Sequence, residues 1–221
     1  MNITPKDYCM NCDGKHKLAF IHIPRSGGKS IRKAFELGWH TEGFKRVATY
    51  NCAHRRASIV WSKKVIDEFD TFAVVRDPWS RLVSLYHYYR GRPDMKHNYE
   101  IISRYKTFSD FVLDLKNIPF ANDRVEYPDK LTDNFQPCSY WICDEKKVLV
   151  KNLIRFDNLN DDLKKFTDKI NMNIKFPLKK YSKQEGLKHK YYTEYYTDNK
   201  LIQEVADLYE DDIKTFGFEY K

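Results

Sequence analysis

The sequence has no long apolar run. Its mean hydropathy is −0.71, and no stretch approaches the ~20 apolar residues that a membrane-spanning helix requires. The first residues, MNITPKDYCMNC, contain no apolar core of a signal peptide. Internal repeats and low-complexity linkers are also missing. These absences argue against an integral membrane protein and a repeat protein. The length of the chain predicts a single domain over residues 1–221, which is long enough to bury about 70% of its unfolded surface.

The chain contains five cysteines. Cys9 and Cys12 form a C-x-x-C pair with His16 nearby, and Cys138 and Cys143 form a wider pair. Two such pairs are chemically able to hold zinc, but the second spacing is not that of a tight zinc knuckle. A disulfide within the first pair is unfavourable in a reducing cytosol. We therefore interpret the cysteines as partly buried free thiols and expect no metal.

Positive charge is in excess, with 39 Lys and Arg against 31 Asp and Glu and a formal net charge of +8. A basic protein of this kind suits an anionic cofactor and an anionic acceptor, but it also suits loose binding to nucleic acid. The tyrosine pairs at 191–192 and 195–196 more often supply packing than base stacking. Charge alone therefore does not separate these functions.

The most informative segment is LAFIHIPRSGGKSI, residues 18–31. An apolar run from Leu18 to Ile23 breaks at Pro24 into a basic, hydroxyl- and glycine-rich loop, and a helical pattern follows. A strand, a glycine turn and a helix build a phosphate site, because glycines let backbone N–H groups approach the anion and the helix N-terminus adds about half a positive charge. The residues that we expect to bind phosphate are Arg25, Ser26, Gly27, Gly28, Lys29 and Ser30.

This loop matches only part of the Walker A pattern G-x-x-x-x-G-K-[ST]. Gly28, Lys29 and Ser30 fit its end, but the leading glycine would fall at Ile23 inside the strand. The loop is therefore too short to wrap a β-phosphate as nucleotide triphosphatases do.

A second apolar strand pattern, Phe72 to Val75, leads into the helix of FAVVRDPWSRLVSLY. Asp77 suits the N-cap and Pro78 the first helical position. We expect Arg76 and Ser84 to converge on one anion beside the first loop. The helical residues predicted to face the core are Trp79, Leu82, Val83 and Tyr86.

Both loops resemble the phosphate sites of sulfotransferases. PRSGGKS, residues 24–30, is similar to their 5′-phosphosulfate loop PKTGGTS, with changes at Arg25, Ser26 and Lys29. The second segment is similar to their 3′-phosphate site R-[DN]-P-x-x-R-x-x-S at every defined position. The resemblance implies 3′-phosphoadenosine-5′-phosphosulfate as the co-substrate, since a 5′ and a 3′ site together distinguish this donor from ATP, and it implies no metal. The defined positions are Arg76, Asp77, Pro78, Arg81 and Ser84.

The resemblance covers most of residues 18–220. NLIRFDNL at 152–159 and the segment from YYTEYY at 191 to the closing TFGFEY resemble the membrane-anchor-free relatives of heparan and chondroitin sulfotransferases. This implies a P-loop-like α/β fold, with a central parallel sheet flanked by helices and both loops at the strand C-terminal ends. It also implies a hydroxyl acceptor on a glycan rather than a nucleic acid. We expect a cytoplasmic protein of microbial or viral origin, and the oligomeric state is open.

The resemblance places the chemistry on two residues. Arg25 stands where the family has the lysine that contacts the bridging oxygen, and arginine is able to hold that charge bidentately. His54, in NCAHRRAS at 51–58, stands where this branch of the family has a catalytic histidine and is our candidate base. His22, expected to be buried beside the loop, and the carboxylates Asp123 and Glu126 are the reserve candidates.

Two other functions stay open at this point. One is a nucleotide-triphosphate-dependent kinase with a degenerate loop, and the other is a non-enzymatic basic module that binds nucleotide or nucleic acid. Tyrosine and small alcohols also stay open as acceptors.

Alternating helical and apolar patterns predict an α/β fold. Residues 1–17 are interpreted as an N-terminal extension, 18–90 as the segment with both phosphate loops, and 117–140 as an irregular segment that forms part of the acceptor cleft. The predicted strands are 18–23, 45–49, 71–75 and 147–151. The predicted helices are 30–37, 56–68, 78–90, 107–116, 160–170 and 198–216.

Overall fold

The structure, a computed structural model, describes residues 18–35, 54–121, 130–178 and 191–221. The predicted strand at 45–49 and the C-x-x-C pair lie outside these ranges, as do the reserve carboxylates Asp123 and Glu126. In chain order the strands and α-helices are β1 (Leu18–Ile21), α1 (Gly28–Ala34), α2 (Ala57–Val60), α3 (Lys63–Glu68), β2 (Asp70–Val75), α4 (Pro78–Arg90), α5 (Lys96–Ser103), α6 (Phe108–Asp114), α7 (Cys138–Ile142), β3 (Cys143–Asp144), β4 (Lys147–Val148), β5 (Asn152–Arg155), α8 (Leu159–Lys169), α9 (Asn199–Leu208) and α10 (Glu210–Phe216).

The chain divides into two compact units, each built from two stretches of sequence. The described residues of the first unit are 18–35, 54–75 and 138–178. Those of the second unit are 76–121, 130–137 and 191–221. Each described helix is too short or too polar to serve as a membrane span.

A parallel sheet in the order β1-β2-β5 forms the centre of the first unit. Leu18 pairs with Asp70 at the start of β1, and Val75 pairs with Arg155 at the end of β5. All four residues of β1 are buried, as is typical of a parallel strand covered on both faces. Because parallel strands end at the same edge of a sheet, the loop after β1 begins at the edge where β2 also ends.

Helices α1 and α8 pack on this sheet through apolar side chains. Phe72 of β2 stacks on Phe20 of β1 with ring centroids 4.8 Å apart, and it lies at the same distance from Phe166 of α8. Ile31 of α1 is fully buried in the same cluster. The α/β class with a parallel sheet flanked by helices is therefore confirmed.

The third strand of the sheet lies later in the chain than the sequence predicts. The predicted strand 147–151 is wrong: Lys147–Val148 pairs with Cys143–Asp144 in a separate two-stranded antiparallel ladder. Pairing with β2 begins only at Asn152, since the Lys151 N–H donates to the side-chain hydroxyl of Thr71 at 2.9 Å. β5 is an edge strand in this sheet, and its residue Leu153 is exposed. Because β5 is not buried on both faces, its sequence lacks the continuous apolar run that marks a buried strand.

Two predicted helices are each broken in two. The segment 56–68 forms α2 and α3, because Ser62 caps α3 by accepting from the Val65 N–H at 3.4 Å. The segment 198–216 is interrupted at Tyr209, whose hydroxyl donates to the Phe135 carbonyl at 2.9 Å. The irregular segment 117–140 also departs from expectation, because α7 begins within it at Cys138.

In the second unit, α4 has the predicted bounds and caps. Asp77 is its N-cap and accepts from the Ser80 N–H at 2.7 Å, and Pro78 opens the first turn. The four residues predicted to face the core are all buried. Trp79 donates its indole N–H to the Ile202 carbonyl at 3.0 Å, which ties α4 to α9.

Candidate functional site

The loop after β1 is a tight turn that leads directly into α1. The Ser26 N–H donates to the Ile23 carbonyl at 3.3 Å, and the Ser30 N–H donates to the Gly27 carbonyl at 3.0 Å. Gly27 is the residue before the helix, and its φ of 81° lies in the left-handed region. Arg25 has a φ of 63° and is therefore also left-handed. A non-glycine residue in this region costs about 1–3 kcal/mol, and such strain is concentrated at functional sites.

The two glycines of the loop pack closely against aromatic rings. A Cβ on Gly28 would lie 1.9 Å from Cδ2 of His22, which is far inside van der Waals contact. A Cβ on Gly27 would lie 3.2 Å from Cε2 of Phe156. From the sequence, we expect these glycines to let backbone N–H groups approach an anion. That role stays a prediction. The structure adds a second requirement, because the His22 ring fills the space beside Gly28.

The polar side chains of the loop differ in exposure. Arg25 and Ser30 are half-buried and Lys29 is exposed. Ser26 is 1% exposed, and its hydroxyl has no hydrogen-bond partner among the described residues. A buried polar atom without a partner costs about 1–3 kcal/mol, so such a group calls for an explanation. A ligand oxygen in the turn would supply the missing partner.

His22 lies at the centre of a group of positive charges. It is 6% exposed and stacks on Phe20 at 5.9 Å between ring centroids. Burial holds the pKa of His22 well below its ordinary value. The positive charges of Arg32, Lys29 and Arg25 lower this pKa further, as does the electrostatic effect of the neighbouring His54. An uncharged imidazole surrounded by cations indicates a local potential that favours a bound anion.

His54 contacts His22, and this contact brings His54 beside the loop. The two imidazole rings meet edge to face with centroids 4.6 Å apart, and the centroid of the Trp141 ring lies 6.4 Å from that of His54. Arg56 fixes this segment to α7, because its Nε donates to the Tyr140 carbonyl at 3.0 Å and its guanidinium lies 4.8 Å from the centre of the Tyr140 ring.

His22 is the residue whose central position the sequence does not reveal. The expectation that it is buried beside the loop is confirmed. Its contact with His54 joins positions 32 residues apart, which no local pattern encodes. The sequence does show that His22 is the single polar residue inside the apolar run from Leu18 to Ile23.

The second candidate segment follows β2 and belongs to the second unit. The Arg76 Nε donates to the Ser80 hydroxyl at 2.9 Å, and that hydroxyl donates in turn to the carboxylate of Asp77 in a short hydrogen bond. Arg76 and Ser84 are half-buried. Whether both bind one anion stays a prediction.

Arg81, a further defined position of this segment, has a structural role. It is 1% exposed. Its two terminal nitrogens donate to the carbonyls of Gln136 and Asn134, each at 2.9 Å. The guanidinium therefore holds the chain just before α7, and it is not placed to be a surface anion ligand.

Cys138 and Cys143 are both buried. Across the described ranges, no three His, Cys, Asp or Glu side chains are grouped closely enough to hold a metal ion.

A family model described as "Sulfotransferase family" matches residues 9–219, nearly the whole chain. No curated protein and no solved structure matches.

Proposed function

The chain belongs to the sulfotransferase family, whose members are enzymes that transfer sulfo groups, and from this premise we propose its donor, acceptor and chemistry. The donor is 3′-phosphoadenosine-5′-phosphosulfate. The acceptor is a hydroxyl group, and we place it on a carbohydrate because the sequence most resembles the carbohydrate-acting branch. The observation that carries the proposal is the buried Ser26 hydroxyl, which lacks a partner among the described residues and sits in a turn with Arg25 and Lys29 close to His22.

The turn after β1 would hold the 5′ end of the donor. Ser26 supplies a buried hydroxyl donor, and Lys29 supplies an exposed ammonium group. Gly27 and Gly28 carry no side chains that would shield the backbone of the turn. In support of this assignment, the cations that lower the pKa of His22 would be partly neutralised by the phosphosulfate group.

The segment after β2 would hold the 3′-phosphate through Arg76 and Ser84. Charge-assisted hydrogen bonds to phosphate contribute about 1.5–3 kcal/mol each. Support for this role comes from the R-[DN]-P-x-x-R-x-x-S pattern and from the orientation of Arg76 by Ser80.

Sulfuryl transfer is an in-line displacement. The acceptor oxygen forms a bond to sulfur, the bond from sulfur to the bridging phosphate oxygen breaks, and adenosine 3′,5′-bisphosphate leaves. Arg25 would stabilise the negative charge that develops on the bridging oxygen. His54 would accept the proton of the acceptor hydroxyl, for which a neutral imidazole is suited near neutral pH.

Thermal-shift titrations test the donor assignment. Adenosine 3′,5′-bisphosphate should raise the melting temperature without added metal, whereas adenosine 5′-phosphate should raise it much less, because stabilisation follows the occupancy of the folded state. ATP with Mg²⁺ and single-stranded RNA serve as the other ligands. Stronger stabilisation by ATP–Mg²⁺ would favour a kinase, and stabilisation by RNA alone would favour a non-enzymatic binding module.

Arg76→Ala should remove most of the difference between the two adenosine nucleotides. Arg92→Ala is the matched control, since Arg92 lies in the same unit and forms a surface ion pair with Asp94 at 2.6 Å. Equal shifts by both nucleotides in the wild-type protein would show that the 3′ site is misassigned. The acceptor is then identified with labelled donor on glycans, tyrosine peptides and small alcohols, and labelling of peptides or alcohols alone would refute the carbohydrate assignment.

A further inference from the structure

We propose that Ser80 is a positioning residue, which orients the guanidinium of Arg76 toward the 3′-phosphate of the donor. This inference rests on the proposed function, since it assumes that Arg76 binds that phosphate. Ser80 occupies one of the unspecified positions of R-[DN]-P-x-x-R-x-x-S, so the sequence pattern assigns it no role. Its assignment comes from the hydrogen bonds in the first turn of α4.

The hydrogen bonds run in one direction, from Arg76 through Ser80 to Asp77. Arg76 is always a donor, and its Nε lies 2.9 Å from the Ser80 oxygen. The single hydroxyl proton of Ser80 is donated to the carboxylate of Asp77, which accepts on Oδ2. The Ser80 oxygen therefore keeps its lone pairs for the arginine. The charge of the carboxylate polarises the hydroxyl and strengthens this acceptance.

Asp77 is itself held in place by the helix. Its Oδ1 accepts from the Ser80 N–H at 2.7 Å as the N-cap of α4, while its Oδ2 binds the Ser80 hydroxyl. Both carboxylate oxygens thus contact the same serine. Because Ser80 is only 6% exposed, packing restricts its rotamer, and so does the bond from its hydroxyl to Oδ2 of Asp77.

Fixing one nitrogen of a guanidinium fixes the direction of the others. The group is planar and its donors form a rigid fork, so an Nε bonded to Ser80 sets the plane in which the terminal nitrogens of Arg76 point. Such preorganisation improves anion binding because less side-chain freedom is lost when the ligand arrives. Ser80 does not need to touch the donor to have this effect.

The measurable quantity is the ratio of two dissociation constants, that of adenosine 5′-phosphate over that of adenosine 3′,5′-bisphosphate, determined by calorimetry. This ratio isolates the 3′-phosphate. Ser80→Ala should lower it about tenfold, the effect of losing one good hydrogen bond at a charged group. In the Arg76→Ala background, Ser80→Ala should change the ratio no further, because the interaction that it supports is already gone.

A merely structural role for Ser80 predicts a different result. Loss of the hydroxyl that holds the N-cap carboxylate of Asp77 would lower the melting temperature and weaken the binding of both nucleotides alike, which leaves the ratio unchanged. Thr107→Ala is the matched control, because the Thr107 hydroxyl caps α6, in the same unit as Ser80, by accepting from the Asp110 N–H at 3.1 Å. It should lower stability without changing the ratio.

These variants distinguish an error in the proposed 3′ site from an error in the role proposed for Ser80. If Arg76→Ala keeps the wild-type ratio, the proposed 3′ site is wrong. If Arg76→Ala lowers the ratio and Ser80→Ala does not, the role of Ser80 is refuted and the proposed function stands. If Ser80→Ala fails to fold, Asp77→Asn carries the test: the neutral amide polarises the hydroxyl less and should lower the ratio, and an unchanged ratio would overturn the inference.

Discussion

The imidazole of His22 occupies the space that any side chain at position 28 would need. A Cβ on Gly28 would lie 1.9 Å from Cδ2 and 2.0 Å from Nε2 of that ring. Position 22 comes directly after β1 and position 28 begins α1. The contact therefore ties the end of the strand to the start of the helix across the turn.

Gly28→Ala should destabilise the protein and weaken binding of adenosine 3′,5′-bisphosphate. The added methyl group must displace the buried ring, and overpacking of this kind costs about 1–3 kcal/mol. Thermal denaturation and calorimetry measure both effects. Gly217→Ala is the control: its φ is 62° and nothing lies within 4 Å of an added Cβ, so it should cost only the backbone term of about 1–2 kcal/mol and leave nucleotide binding intact.

The double variant His22→Ala/Gly28→Ala sharpens this test. Removal of the ring makes room for the new methyl group, so the double variant should bind adenosine 3′,5′-bisphosphate better than Gly28→Ala does. Equal or weaker binding would show that the packing of His22 on Gly28 does not control the turn.

His22 should make folding stability dependent on pH. The unfolded chain takes up a proton on His22 near pH 6.5, whereas the folded chain holds the pKa of His22 well below that value through burial and the neighbouring cations. The free energy of unfolding should therefore fall as the pH drops below about 6.5, by at most about 1.4 kcal/mol per pH unit for this one proton. Urea denaturation between pH 5 and 8 measures the slope. His22→Gln should make it shallower, and an unchanged slope would exclude His22 as its source.

Arg25→Ala should lower turnover far more than donor affinity. The proposed contact strengthens as the bridging oxygen gains charge, and loss of one such donor typically costs about 10²–10³-fold in rate. Steady-state kinetics, with the bisphosphate affinity measured in parallel, separates the two effects. Arg25→Lys should keep substantial activity, because it restores the family's usual residue. A lysine variant as inactive as the alanine variant would assign Arg25 to loop orientation instead.

His54→Ala should lower the rate of sulfation about 10²–10⁴-fold, the usual effect of losing a positioned base. It should also remove the acid-side limb of the pH–rate profile, since a base must be unprotonated to act. Affinity for adenosine 3′,5′-bisphosphate should survive. His97→Ala is the control, because that ring is bonded to the Lys130 carbonyl at 2.6 Å in the second unit. A His54→Ala enzyme with normal turnover and an unchanged profile would shift attention to His22.

The features predicted from sequence are those that local chemistry specifies. Asp77 and Pro78 define the start of α4 because capping and fixed φ act within one turn. The buried strands β1 and β2 are marked by continuous apolar residues.

The features that sequence reasoning missed depend on distant partners. β5 is displaced to Asn152 by a bond from Lys151 to Thr71, 80 residues away. The break at Tyr209 coincides with its bond to the Phe135 carbonyl. The same limit applies to the site, where His22 joins Gly28 and His54 through contacts that no periodicity encodes.

Arg81 bears on how related chains should be screened. Its guanidinium binds the carbonyls of Asn134 and Gln136, while Arg76 in the same short motif is oriented by a serine. A motif search weights the two arginines equally, although Arg81 holds the chain within its unit and Arg76 is the proposed ligand of the 3′-phosphate. A chain that keeps Arg76 but has lost Arg81 should first be assayed for solubility and cooperative unfolding. Without that assay, a misfolded preparation would be scored as an inactive enzyme.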